Sequence, residues 1–516
     1  MDQIEIYVAL LGIIVTVGII FSKVAIPTSL LLVITGMLLS LAPGFPHVVL
    51  DPNLVLYIFL PLLIYQTSSF TSWREIKSNF RLISLLSVGH VIFITCLVAV
   101  TAHALIPDLS WPLAFVLGAV ISPPDDVAVV NIAQKIHLPR RVVTVLNGEG
   151  MLNDATALIL FRFALAAILT NYFSPAHAIA NFFIIIIGET AYGLMLGFLL
   201  GELRLKLKDP TLQMTISLLT PFLAYLPPAI LGGSGVLATV VTGLFIGNVY
   251  LDRFPPDVRL TALSVWSTIV FAVQGILFLL VGLDLLHIAQ RIAVIPSATL
   301  ALYSITIILV VIVGRFIWVY PSVYIPKFFA RMFDKREKYS PWQFPFIISW
   351  AGMRGGVSLA AALAVPTLPL LADGTNPKDL LVFLVFCVII ATLVLQGLAL
   401  PWVLNVFGII KYGMREKRDE HRTELLARIE ITKAVSRWLS EYKTICHSDL
   451  EYMDEVKFRI QEYQTQKKQL EEQVKNHNKK QRHDETAELK QLVHLSSQLL
   501  EVERTELARL WREKKN

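Results

Sequence analysis

The feature that most limits this chain is a succession of apolar runs, each roughly 17–25 residues long, continuing to about residue 410. As an α-helix, a run of that length covers ~30 Å of hydrocarbon. Lipid offers no partner to a backbone N–H or C=O, so a spanning segment must be a helix or part of a closed barrel. Barrel strands alternate with a period of two, and these runs do not. The chain is 55% hydrophobic and 16% charged, against about 25% charged for soluble domains. The fold class expected is an all-α polytopic membrane protein of about 13 transmembrane helices. The spans fall near 4–21, 27–41, 54–70, 82–104, 111–134, 142–170, 177–202, 211–226, 229–249, 262–288, 296–322, 342–364 and 380–408.

Charge sets the orientation. With the N-terminus outside, seventeen lysines and arginines fall in inward loops and two, Arg291 and Lys378, in outward ones. That bias predicts an odd number of spans, N-out and C-in. The net charge of +6 is accounted for by these loops and the tail, so no nucleic-acid partner is expected. Asp2 and Glu5 precede the first apolar run where a cleaved signal would be basic, so that run is expected to remain as a span. The three cysteines are isolated and suggest neither a disulfide framework nor a metal site.

At about residue 411 the composition turns charged and helical, which divides the chain into a transmembrane domain (1–410) and a cytoplasmic helical tail (411–516). Met453, Val456, Ile460, Tyr463, Leu470 and Val474 follow three- and four-residue steps, with Lys467 at the mismatched seam position. The pattern fits a solvated helix packed on the transporter's inner face, a dimerising coiled coil, or a regulatory partner site.

Four spans carry groups that lipid does not tolerate. "GAVISPPDDVAVV" (118–130) puts Pro123-Pro124 before Asp125-Asp126 in the middle of the fifth span. Two prolines remove two donors and clash with the preceding turn. The helix must open there, and a half-helix starting beyond the break favours carboxylates at its N-terminus. In "SWAGMRGGVSLAAALAVP" (349–366), Gly352, Gly355 and Gly356 loosen the twelfth span around Arg354. One interrupted span in each half is the mark of an inverted-repeat transporter whose binding site lies between the breaks. Arg315, in "IVGRFIWVY", needs a buried anion unless it snorkels to the inner surface; Glu149 is the natural partner.

Glu149 belongs to the fourth segment, "GEGMLNDATALILFRFA" (148–164), with Asn153, Asp154 and Arg162. Each charge at the bilayer centre costs at least ~2.5–3.5 kcal/mol on insertion scales. Glu149 and Asp154 are five residues apart, about 140° around a helix, so they point in different directions. Asp154 has no cation close by in sequence. It would be neutralised either by a proton or by a bound metal cation, and a group that holds one or the other is a proton/cation exchanger. Helix–helix hydrogen bonding is the structural alternative for Asn153-Asp154.

The order and spacing of "GAVISPPDDVAVV", "GEGMLNDATAL" and "GMRGGVS" resemble the monovalent cation/proton antiporters of the NhaP and NHE type, over essentially residues 1–410. The resemblance implies a homodimer with inverted repeats and two crossed unwound helices, moving a core domain elevator fashion in a cell membrane. It implies Asp154 as the carrier of cation and proton, Asn153 as its support, and Asp125 as the aspartate of the first unwound helix. Pro124 would lend a backbone carbonyl to the cation, with Ser122 in the same break a further candidate. Glu149 and Arg315 would form a structural ion pair, and Arg354 would stabilise the second break.

There are departures from the pattern. Gly150 stands where a serine is common, Gln66 where glutamate is common, and Asp126 where proline is usual. These open the ligand set, ion preference and proton count. The function expected is secondary antiport of Na+, with Li+ or K+ as other cations, for H+, electroneutral at 1:1 and without a cofactor. A K+-preferring antiporter or a cation-coupled solute carrier is the alternative on the same fold. A channel would need repeated carbonyl loops. An enzyme is not expected, since neither HExxH nor a pair of carboxylates placed like a protease dyad occurs, and without a GxxxxGK[ST] loop transport is expected to run on ion gradients rather than ATP.

Overall fold

In the computed structural model, the residues described are 3–20, 28–42, 51–125, 138–170, 175–292, 295–332, 342–366 and 375–409, with a few isolated positions in the tail. No β-strand occurs among them. The chain divides into two units, Met1–Met414 and Arg415–Asn516. Asp126 and the apolar steps of 453–474 lie outside the described residues.

The first unit is built of helices α1 (Gln3–Ile20), α2 (Thr28–Ser40), α3 (Leu60–Ser69), α4 (Trp73–Leu105), α5 (Trp111–Ile121), α6 (Arg140–Thr170) and α7 (Pro175–Lys206). These are followed by α8 (Pro210–Ile230), α9 (Val236–Arg253), α10 (Pro256–Arg291), α11 (Ser297–Met332), α12 (Gln343–Trp350), α13 (Gly356–Leu363) and α14 (Pro377–Val406). Seven of them, α4, α6, α7, α9, α10, α11 and α14, are long and apolar enough to cross a membrane. Val8–Ile20, Thr28–Ser40 and α5 are shorter apolar helices. The chain is therefore a multi-pass, all-helical membrane protein.

Local chemistry sets where helices begin. Asp51-Pro52, Asp209-Pro210 and Asn376-Pro377 each place a capping side chain before a proline at the first helical position. The side chains accept hydrogen bonds from Asn53 N (2.9 Å), Thr211 N (2.8 Å) and Lys378 N (3.0 Å). The cap satisfies one of the helix's unbonded N–H groups, and proline at the first position loses a donor that had no partner anyway.

Between helices the hydrophobic effect gives little, because lipid tails are as apolar as leucine; close approach of small residues does the work. At the crossing of α2 and α10, a Cβ on Gly36 would strike the Leu279 carbonyl and one on Gly282 the Val33 carbonyl. The two backbones thus touch, and α10 is held against α2. On α4, α5, α6, α11, α12 and α14 the buried positions form a continuous core with α1, α2 and α10. The outward residues of α7, such as Phe183, Ile184 and Ile187, are exposed and apolar, as a lipid-facing surface requires.

Candidate functional site

Helices α5 and α12 both end where the sequence withdraws backbone donors or side-chain volume; the expected restart of the fifth span beyond Asp125 lies outside the described residues. Helix α5 makes its last bond from Ser122 N to the Gly118 carbonyl (2.9 Å), and Pro123 and Pro124 have no N–H with which to continue. Helix α12 stops at Trp350, residues 351–355 leave the helical path, and α13 restarts at Gly356. The freed groups of one break bond to the other. Asp125 N donates to the Met353 carbonyl (2.6 Å), and Arg354 Nη1 donates to the Ser122 carbonyl (2.7 Å). Arg354 N is further held by Thr392 Oγ1 of α14 (3.1 Å). Glycine is needed for this crossing: a Cβ on Gly355 would collide with the Asp125 carboxylate.

Beside the crossing lies a cavity of about 60 Å3 whose wall includes Pro123, Pro124, Asp125, Gly150, Asp154 and Gly355. Asp154 comes from α6 and Asp125 from the first break, so two carboxylates face the same space. The neighbouring Asn153 is fully buried, and its Nδ2 donates to the Pro124 carbonyl (2.8 Å). This bond pins α6 to the first break and aims the next residue, Asp154, at the cavity. A carbonyl oxygen has two lone pairs, so the bond from Asn153 leaves Pro124 one more to offer. Among the described residues no group of three or more His, Cys, Asp or Glu side chains comes together; the donors here are two carboxylates and neutral oxygens.

Glu149 turns the other way. Both of its oxygens are taken by Arg315 of α11, from Nη1 at 2.7 Å and from Nη2 at 2.9 Å, and each residue is 1% exposed. Arg315 Nε also donates to the Ile348 carbonyl of α12 (3.1 Å). The guanidinium reaches Glu149 past Gly352, where any Cβ would strike Arg315 Cδ. Gly352 therefore admits a cation as well as loosening a helix. Arg354, also fully buried, reaches the first break rather than Glu149, and its Nε and Nη2 have no hydrogen-bond partner among the described residues.

The remaining sequence candidates fall at the margin. The Ser122 hydroxyl bonds back to the Ala119 carbonyl (3.0 Å), so only its carbonyl serves the crossing. Gln66 is half-buried and accepts from Thr67 Oγ1 at 3.4 Å; it is Thr67 that lines the cavity. Gly150 leaves a bare stretch of wall.

Sequence reasoning passed over Thr67, Gln274 and Ser358, which line the cavity from α3, α10 and α13. It also passed over Glu189, a lone carboxylate in the apolar "IIIIGETAYG" that should have attracted notice as an intramembrane charge. Glu189 is buried at the N-terminus of α9, accepting from the backbone N–H of Ser234, from Ser234 Oγ (2.9 Å), and from the N–H groups of Gly235 (2.9 Å), Leu237 (3.1 Å) and Ala238 (3.3 Å). A carboxylate is the right charge for unbonded helix N–H groups. Arg162 does the converse at the end of α8, donating to the carbonyls of Gly233 and Ala229. The charges of the 148–164 segment thus have three separate settings: an ion pair, a cavity and a helix C-terminus.

Comparison with known proteins bears on the chain as a whole. The family model for the transmembrane part of sodium/hydrogen exchangers matches residues 8–406. A Na+/H+ exchanger of Mycobacterium tuberculosis is 36% identical over 403 residues, 77% of this chain and 73% of that protein. The sodium, potassium, lithium and rubidium/H+ antiporter of Bacillus subtilis is 32% identical over 391 residues, 73% of this chain and 57% of that protein. Among solved structures, the sodium proton antiporter MjNhaP1 from Methanocaldococcus jannaschii superposes with a TM-score of 0.61, covering 78% of this chain and 97% of that one. At 17% identity that likeness is one of fold. With the family model matching residues 8–406 and the relatives alike in sequence along most of the chain, the chain belongs to the sodium/hydrogen exchanger family and is a transporter, not an enzyme.

Proposed function

We propose that the chain is a secondary antiporter exchanging Na+ for H+, with Asp154 as the carrier. The observation that supports this is a cavity at two crossed helix breaks into which Asp154 faces, while the other carboxylate of its helix segment, Glu149, is held by Arg315. A cation entering the cavity meets carboxylate charge there, and a proton can take the cation's place on Asp154. Asp125, Asn153 and the Pro124 carbonyl are read as its supports. Residues 1–410 are read as the transport domain, with about 13 spans, N-terminus outside and C-terminus inside, working as a homodimer. The helices carrying the breaks would move elevator fashion against the rest. The test is proton movement in everted membrane vesicles after adding Na+, Li+ or K+ in turn. Acceleration by at least one of them is expected, and no response to any would overturn the proposal.

K+ is carried as a second substrate in this reading because the Bacillus subtilis relative is named for sodium, potassium, lithium and rubidium. Exchange through one carboxylate moves one positive charge each way, so it is expected to be 1:1 and electroneutral. In proteoliposomes at equal pH on both sides, an imposed membrane potential should neither drive nor shift Na+ exchange. A potential-driven response that Asp126→Pro abolishes would make Asp126 a second proton carrier.

A further inference from the structure

Gln274 is a half-buried amide within the apolar stretch "VFAVQGILFLL" of α10. It has no hydrogen-bond partner among the described residues, and its amide atoms are not sealed off, so they can bind what enters the cavity. Gln274, Leu277 and Phe278 occupy one face of α10, at steps of three and four residues, and all three line the cavity. Leu277 closes against the second break, where a Cβ on Gly356 would come within 2.5 Å of its Cγ. The flank of α10 beside this face is committed to packing: a Cβ on Gly275 would meet Ile14 at 2.6 Å, and Gly282 lies against the Val33 carbonyl. Neither contact leaves the helix room to turn Gln274 away. The α10 part of the cavity wall is therefore apolar apart from one uncommitted amide, held there by a fixed helix.

A dehydrated cation needs oxygen ligands in place of its water shell. On the Asp154 side the wall carries Gly150, which offers no side-chain oxygen. We propose that Gln274 is a cation ligand supplied from α10. Its carbonyl oxygen completes the coordination begun by the carboxylates and sets the preference among monovalent cations. This deepens the antiport reading and rests on it. Being an amide, Gln274 takes no part in the proton half of the cycle, so it separates ion preference from proton exchange.

The experiment uses the full chain in proteoliposomes, comparing wild type, Gln274→Leu and Gln274→Asn for half-saturating Na+, Li+ and K+, maximal rate and pH profile. Gln274→Leu keeps the volume and removes the oxygen. It should raise the half-saturating Na+ concentration about tenfold and change the relative preference for the three cations, with the maximal rate at saturating cation little altered. Gln274→Asn keeps an oxygen one methylene short and should give a smaller shift of the same sign. Wild-type half-saturation for all three cations in both variants would overturn the proposal, as would a fall in maximal rate with half-saturation unchanged. If Gln274→Leu fails to fold, the shift or its absence in Gln274→Asn decides between these outcomes. Failure of the antiport reading itself would look different, since wild type would then move no protons with any cation.

Discussion

Asp154→Asn is expected to reduce cation-driven proton movement to that of vesicles lacking the protein. The substitution keeps the shape of the side chain and removes the negative charge, so neither a proton nor a cation can be held by ionic attraction. The rest of the site should survive. Asn153 would still donate to the Pro124 carbonyl, and Asp125 N would still bond to the Met353 carbonyl. Expression and the melting temperature in detergent should therefore stay near wild type. Transport retained at a substantial rate in a well-folded Asp154→Asn protein would show that the carrier lies elsewhere, with Asp125 the next candidate.

Loss of either member of the Glu149–Arg315 pair should be the most destabilising single change in the transmembrane unit. Both side chains are 1% exposed and joined by two hydrogen bonds. Removing one partner of a buried pair leaves the other uncompensated, at a cost of ~3–5 kcal/mol. Glu149→Gln and Arg315→Gln are each expected to lower the melting temperature in detergent clearly. The double variant should lose less than the sum, because no lone charge remains; residues in direct contact are where additivity fails. Arg315→Gln should be the worse single change, since Arg315 also holds the Ile348 carbonyl of α12 beside the second break. Additive losses would mean that the two residues do not act as a pair.

Much of this site could be read without coordinates, and for a definite reason. Lipid leaves a polar group no bland explanation, so Pro123-Pro124, Asp125, Glu149, Asn153, Asp154, Arg315 and Arg354 stood out against apolar surroundings. Helix geometry alone sent Glu149 and Asp154 in different directions. Apart from the carboxylate of Glu189, what escaped were residues whose type is ordinary. A threonine or serine in a span usually bonds its own backbone, as Thr67 does with the Leu63 carbonyl (3.0 Å), so nothing in its identity places it on a cavity wall. Gln274 is distant in sequence from every break and joins the site only through the packing of α10 on α2.

The apolar runs and interrupted spans determined by themselves that the chain is helical, crosses the membrane repeatedly and carries charge where a transporter needs it. These follow from local rules: lipid satisfies no backbone group, and proline donates none. Partnership was decided only by tertiary structure. That Arg354 serves the Ser122 carbonyl and Arg315 serves Glu149, rather than the reverse, depends on which helices cross and on Gly352 and Gly355 leaving room at the crossing. Two buried arginines and several buried acceptors allow more than one pairing on charge alone; reach across the crossing selects one, and reach is set by three-dimensional packing.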